Sequence, residues 1–229
     1  MRRVLLWKDS RPDKNSIEAA TSVNEFEVGQ LAQNLCNGYI GFSGVTTIIR
    51  HPRAEEVIRQ LELDNSGPAR VPTEQIYTKH GAPPIYFDLI YAVKNIAASP
   101  GYREVHDRLW LTGALLTLGD ELARQDYFDK KPDLEFIRHL RNGIGHGNCF
   151  NLRPGEPRRP AFYTGPDDRT SAPPTSPYSF EITPTLNGRQ VLFDFIGPGD
   201  VCQLLQFVSW RLIRIGNGDP PLDLWPQRP

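Results

Sequence analysis

Three residues near the middle of the 229-residue chain carry side chains suited to work on a phosphate: Arg141, Asn142 and His146. Imidazole exchanges protons near neutral pH, which makes histidine the common choice for general acid–base work. A guanidinium holds its charge and presents a preset fork of donors that grips phosphate in a bidentate way. Asn142 adds a neutral donor and acceptor able to orient either neighbour. Cys149 follows closely, but no oxyanion hole or orienting partner is readable around it, so a Cys/His nucleophile finds little support. The cysteines, Cys36, Cys149 and Cys202, are odd in number and widely spaced, and they form neither a zinc nor a disulfide pattern.

These residues close a helix. Leu134, Ile137, Leu140, Arg141 and Ile144 recur at the helical period, and Asp133 after Pro132 is the expected N-cap. Gly143, Gly145 and Gly147 then alternate through the last turn, each costing about 0.8–1 kcal/mol relative to alanine. The backbone there is expected to bend or to be closely approached. Arg138, Asn142 and His146 stack along one polar face, which Glu135 and His139 border. At about 100° per residue, Arg141 lies about 140° round the helix from His146. A straight helix keeps the two apart. Either the glycine turn distorts to join them, or a second copy of the helix supplies the missing half.

The string Arg141-Asn142-Gly143-Ile144-Gly145-His146 has four residues between Arg and His and a polar residue directly after the Arg. With Leu140 before it and Gly147-Asn148 after it, the segment resembles the HEPN superfamily (higher eukaryotes and prokaryotes nucleotide-binding). The likeness covers roughly residues 85–150 and the final helix; the N-terminal third fits no family pattern. It implies an all-α core, a HEPN-like antiparallel helical bundle, usually dimeric. In many members that fold is a metal-independent endoribonuclease, which uses no cofactor.

Cleaving RNA without metal requires a base for the 2′-OH proton, a cation beside the phosphate and an acid for the leaving 5′-oxygen. On the resemblance, His146 is the general base, Arg141 the electrostatic stabiliser and Asn142 the positioner. His139 lies about 10.5 Å back along the axis, too far to act on the same phosphate. A homodimer with facing motif helices supplies a second His146. Arg138, His139, Arg153, Arg158 and Arg159 are the candidate RNA contacts, although the last three equally suit a loop kept soluble by charge. The expected substrate is single-stranded or looped RNA, the expected setting a toxin or defence effector, and an antitoxin or other protein a candidate partner. The competing readings are a glycine-rich helix end with a surface Arg and His, a non-catalytic HEPN-fold module binding nucleotide or protein, and an adaptor working through the basic loop.

Net charge is −1, so no global field draws nucleic acid. The distribution is uneven: residues 138–159 hold five arginines and one acid, Glu156. Arg outnumbers Lys 20 to 6, a ratio that a GC-rich genome also produces. The opening Met1–Lys8 is too short in apolar residues for a signal peptide, and no stretch approaches a membrane span, so the chain reads as cytoplasmic.

The remaining elements are expected as follows. Residues 1–80 form an irregular N-terminal extension: Val4–Trp7 as strand or arm, a helix over 16–36, strand or loop over 38–49, a helix over 52–63 and a linker over 66–84. A helical domain follows over 81–216. It begins with a helix over 85–99 and a long one over 102–128, with Val105, Leu109, Thr112, Leu116 and Ala123 as its apolar stripe. Late on that helix, Asp120 and Glu121 could hydrogen-bond an active-site Arg or His, though exposure is the commoner fate of acids. The proline-rich stretch 153–177 reads as a loop. Tyr178–Ile182 and Gln190–Phe195 around Asn187-Gly188 give a β-hairpin over 178–196, and 198–215 a closing helix with Val201, Leu204, Leu205, Val208 and Leu212 inward. Residues 217–229 are expected as a flexible tail.

Overall fold

The computed structural model describes residues 25–66, 73–76, 83, 85–127, 131–164 and 179–218. In chain order the helices are α1 (Glu25–Ile49), α2 (Ala54–Ser66), α3 (Leu89–Ala98), α4 (Tyr102–Arg124), α5 (Pro132–Gly145) and α6 (Pro198–Gly216). The strands are β1 (Thr73–Ile76), β2 (Ile85–Asp88), β3 (Phe162–Thr164) and β4 (Ser179–Glu181), two antiparallel pairs, β1 with β2 and β3 with β4. An all-α core is what forms. No described helix is long and apolar enough to cross a membrane.

Helix α1 runs antiparallel to both α4 and α6. Trp110 Nε1 donates to the Leu35 carbonyl at 3.2 Å and Tyr39 Oη to Asp107 at 2.9 Å, and just past the helix ends Arg50 donates to the Ser99 carbonyl at 3.1 Å, so contacts descend towards the start of α4 as they climb α1. Against α6 the backbones nearly touch. A Cβ added at Gly29 would lie 2.9 Å from the Ser209 carbonyl oxygen, and one at Gly216 would collide with Phe26. Helix α5 turns back along α4, and its first turn is tied to α6 by a buried pair: Arg211 Nη1 donates to both Asp133 oxygens at 2.7 Å.

That pair corrects the N-cap expectation. Lys131 holds the cap position with Pro132 starting the helix, and Asp133 is fully buried as the partner of Arg211. Within the stretch over 1–80 expected as an irregular extension, α1 belongs to the core. Val28, Ala32, Cys36 and Tyr39 of α1 share one core with Leu115, Leu118, Ile137 and Leu204. The stretch 38–49 is helix rather than strand or loop, because Gly38 lies under the Trp110 indole, where a Cβ would come within 2.5 Å. Close packing there outweighs the poor helix propensity of glycine. The expected elements over 4–7 and 16–24, and the tail beyond 218, lie outside the described residues.

Helix α3 starts later than expected. Ile85–Asp88 pairs with β1, in register from Ile76↔Ile85 to Thr73↔Asp88, and the Asp88 carboxylate then caps α3 by accepting the Tyr91 N–H at 3.1 Å. In α4 the buried face is Leu111, Ala114, Leu115, Leu118 and Leu122, whereas Val105 and Leu109 are exposed. Of the expected stripe, Val105, Leu109 and Ala123 face outward, Thr112 is half-buried and Leu116 packs at the edge of the core.

The hairpin over 178–196 does not form. Strand β4 pairs with β3, Phe162↔Glu181 to Thr164↔Ser179, inside the stretch expected as loop. Asn187 has φ −55° and Gly188 φ +83°, with the Arg189 N–H on the Leu186 carbonyl at 2.9 Å. This is a type II turn; the hairpin turn I′ needs positive φ at both central residues. Residues after it bridge elsewhere, Gln190 to Cys149 and Leu192 to Ile196.

Candidate functional site: the end of α5 against α4

The apolar stripe of α5 is buried as its periodicity requires: Leu134, Ile137, Leu140 and Ile144 are all 6% exposed or less. Burial then goes further, because the chain after Phe150 folds back over the side left polar by the sequence pattern. Phe136 is fully buried and packs against Tyr163, at 6.2 Å between ring centroids. Glu135 and His139 are buried beneath the same layer. Arg138 pairs with Glu135 and lies 2.9 Å from His139 Nε2 and 3.7 Å from Glu156 of the returning loop. Burial raises the Glu135 carboxyl, but hydrogen bonds from His139 and Arg138 and the Arg138 charge outweigh it, bringing the carboxyl down to about 2. Arg138 and His139 are therefore partners of carboxylates inside the fold. His139 does not border an open polar face with Asn142 and His146, and at 2% exposure it offers no surface to a ligand.

Arg141 has a different environment. Its stem lies across Gly119 of α4, where an added Cβ would come 2.6 Å from Arg141 Cγ. Its Nε and Nη2 both donate to Asp120 Oδ1, Nε at 2.7 Å, and its Nη1 donates to Asn142 Oδ1 at 3.3 Å. Asp120 thus holds the guanidinium, while the neighbouring Glu121 pairs with Arg124. Three of the five guanidinium N–H groups are engaged in this way, which leaves two for a ligand. The arginine remains 39% exposed.

His146 ends the helix with φ −99° and ψ 35°, its N–H on the Asn142 carbonyl at 3.1 Å and its ring exposed. The backbone turns only beyond it, at Gly147 (φ +79°) and Asn148 (φ +65°). Helical geometry therefore persists from Arg141 to Gly145, and the two motif side chains keep the wide angle that a straight helix gives them. Among the three glycines, Gly143 is closely approached, with Val191 Cγ2 2.5 Å from an added Cβ, and Gly147 turns the chain; Gly145 faces open space. Asn148 ties down the next segment: its Oδ1 accepts the Leu192 N–H at 2.8 Å and its Nδ2 donates to the Leu192 carbonyl at 3.3 Å. Cys149 sits half-buried with its N–H on the Gly143 carbonyl, part of the helix end.

Arg153, Arg158 and Arg159 are exposed on the returning loop. The loop's shape is held by the Arg153 N–H donating to Glu156 at 3.0 Å. Glu156 takes up part of the local positive excess.

Sequence reasoning missed two features. Gly119 was the readable signal for the Arg141 contact, one residue before the acid that holds it. A pocket of about 200 Å³ between α1 and α4, lined by Thr46, Arg50, Arg103, His106 and Asp107, had no sequence signal. Burial against Phe42, at 3.4 Å between ring centroids, lowers the His106 pKa although Asp107 pulls it the other way. This pocket lies about 20 Å along α4 from Asp120. No group of acidic, histidine or cysteine side chains among the described residues has the makings of a metal site.

No protein-family model, characterised protein or solved structure matches the chain.

Proposed function

We propose that the chain is a metal-independent endoribonuclease of the HEPN type, acting on single-stranded or looped RNA. The observation that supports this best is Arg141, fixed by Asp120 and Asn142 yet exposed, on the same helix end as the exposed His146. A guanidinium held in advance stabilises developing charge without reorganising at the moment of reaction. In the proposed mechanism His146 takes the 2′-OH proton, the 2′-oxygen attacks the adjacent phosphorus, and the 5′-oxygen departs with a proton from an acid. Arg141 neutralises the phosphorane and Asn142 orients the arginine. Single strands and loops reach the in-line geometry that A-form helix resists.

Among the described residues, α5 stays helical through Gly145 and its other histidine, His139, is buried, so no second imidazole of α5 meets the phosphate. The reading therefore includes a homodimer in which the acid is the partner's copy of the same histidine. Incubating labelled RNA with the protein in chelator should yield 2′,3′-cyclic phosphate ends. A Mg²⁺-dependent 5′-phosphate product would overturn the mechanism. Light scattering at micromolar concentration should report a dimer; an active strict monomer would overturn the composite site. The toxin or defence role predicts growth arrest on expression that His146→Ala relieves.

A second reading is a non-catalytic HEPN-fold module. The Asp120 carboxylate favours it, since it offsets the Arg141 charge. The same chelator assay decides between the two.

A further inference from the structure

Phe193 is a bulky side chain in a backbone conformation that suits glycine. Its φ is +76°, and the residue is 38% exposed. A bulky residue with positive φ is a genuine outlier, and such strain collects at functional positions. The turn around it is firmly built: its N–H donates to the Ile196 carbonyl at 2.9 Å, and the Ile196 N–H to the Val191 carbonyl at 3.0 Å. The guanidinium carbon of Arg108, on α4, lies 5.5 Å from the centre of the Phe193 ring. Arg108 is 52% exposed and has one acidic neighbour, Glu104, at 3.6 Å. On the loop itself, Asp194 is paired with Arg189 at 3.1 Å.

The position of this pair matters more than its existence. Arg108 and Gly119 are eleven residues apart on α4, close to three full turns, so they share one face about 16 Å apart. Gly119 is where the Arg141 stem crosses. Between the two points the covalent and hydrogen-bonded path is continuous: His146, then Asn148, whose amide holds Leu192, then Phe193. The exposed Phe193 and Arg108 thus lie on the face of α4 that the Arg141 stem crosses. That axial spacing corresponds to about five stacked nucleotides at roughly 3.4 Å each.

From this placement we infer that Phe193 and Arg108 form a stacking platform for an unpaired nucleobase of the RNA strand, a few nucleotides from the phosphate at Arg141. The inference rests on the ribonuclease reading for its substrate class. Aromatic rings bind bases with little sequence preference because every base has a π-face, and a neighbouring guanidinium adds a cation–π contribution and a phosphate contact. Double-stranded RNA keeps its bases stacked internally and offers nothing to this ring.

The test uses the full-length protein and a fluorescein-labelled 2′-O-methyl oligoribonucleotide of roughly 12 nucleotides, which lacks the attacking hydroxyl and fits single-strand site sizes. Anisotropy should show Phe193→Ala and Phe193→Gly binding roughly 10-fold more weakly, and Phe193→Trp at least as tightly as wild type. Phe193→Gly also relieves the strained φ, so its melting temperature should not fall, which separates binding from folding. Salt titration should leave the slope of log K unchanged in Phe193→Ala and reduce it by about one in Arg108→Ala. Unchanged affinity in both Phe193→Ala and Phe193→Gly overturns the platform; if wild type still cleaves unmodified RNA, the ribonuclease reading survives that failure. Wild type that neither binds the oligomer nor cleaves RNA overturns both. Binding that depends on Phe193 without cleavage supports the platform and overturns the ribonuclease.

Discussion

Gly119 and Arg141 occupy one space: the arginine stem lies where a side chain on residue 119 would begin, with Cβ and Cγ 2.7 and 2.6 Å from the position of an added Cβ. Gly119→Ala must therefore push the stem aside, because these atoms are near the arginine backbone and not at its flexible tip. Overpacking of this kind costs about 1–3 kcal/mol, against a gain of about 1 kcal/mol in helix propensity. The expected result is a modest fall in urea midpoint and a larger fall in RNA cleavage, since Arg141 loses its register with Asp120. Full activity in a folded Gly119→Ala protein would show that the position of Arg141 is immaterial.

The motif itself gives the sharpest kinetic expectation. His146→Ala should abolish cleavage, and Arg141→Ala should lower it roughly 10²–10³-fold, the usual loss for one electrostatic stabiliser. Arg141→Lys keeps the charge but forfeits the fork shared by Asp120 and the phosphate, so it should also be impaired. All three should melt within a few degrees of wild type, because both side chains are exposed and a surface ion pair such as Arg141–Asp120 contributes only about 0–1 kcal/mol.

The Asp133–Arg211 pair is a stability element. Asp133 is fully buried and the Arg211 side chain is 10% exposed. Removing one partner strands a charge, so Arg211→Met should destabilise by about 3–5 kcal/mol, whereas Asp133→Leu together with Arg211→Met should cost much less. Chemical denaturation of the single and double variants measures the difference. A double variant as unstable as the single one would contradict the stranded-charge explanation.

Glu135 predicts an acid limb in the stability curve. Its carboxyl is lowered from 4.5 to about 2 in the folded protein. A depressed carboxyl stabilises above its unfolded pKa, and the contribution is lost as pH falls towards the folded value. At about 1.36 kcal/mol per unit this amounts to something on the order of 3 kcal/mol, lost between about pH 5 and about pH 2. Glu135→Gln should be less stable than wild type at neutral pH, and the gap should close on acidification. A gap that stays constant with pH would remove Glu135 from the account of acid unfolding.

The legible parts of this chain were those where one apolar stripe had no competitor. Helices α5 and α6 each carry a single in-phase set, Leu134 to Ile144 and Val201 to Leu212, and both are buried as read. Helix α4 carries two sets in neighbouring registers, and periodicity alone does not say which one meets the core; Leu111, Leu115 and Leu118 won over Val105 and Leu109. The second half of α1 was hidden because Gly38, Gly41 and Gly44 weaken it locally, while the Trp110 ring that requires Gly38 comes from α4. At the candidate site, Arg141, Asn142 and His146 were visible as a string, and Asp120 was a minority reading. The burial of Glu135 and His139 was not visible, because the layer that covers them returns from beyond Phe150.

The contacts of Gly216 with Phe26 and of Gly29 with Ser209 place the two ends of the described core side by side. Tyr127 beside Glu25, and Arg211 on Asp133, put the start of α5 at that same corner. The motif lies at the opposite end of α5, about 20 Å away. A peptide joining residue 218 to residue 25 would therefore be short, and new termini could be opened elsewhere on the surface, the circumstance in which circular permutation succeeds. A carrier domain or surface tether attached at that corner would stand at the far end of α5 from His146, so an immobilised form of the protein would hold its tether away from the motif.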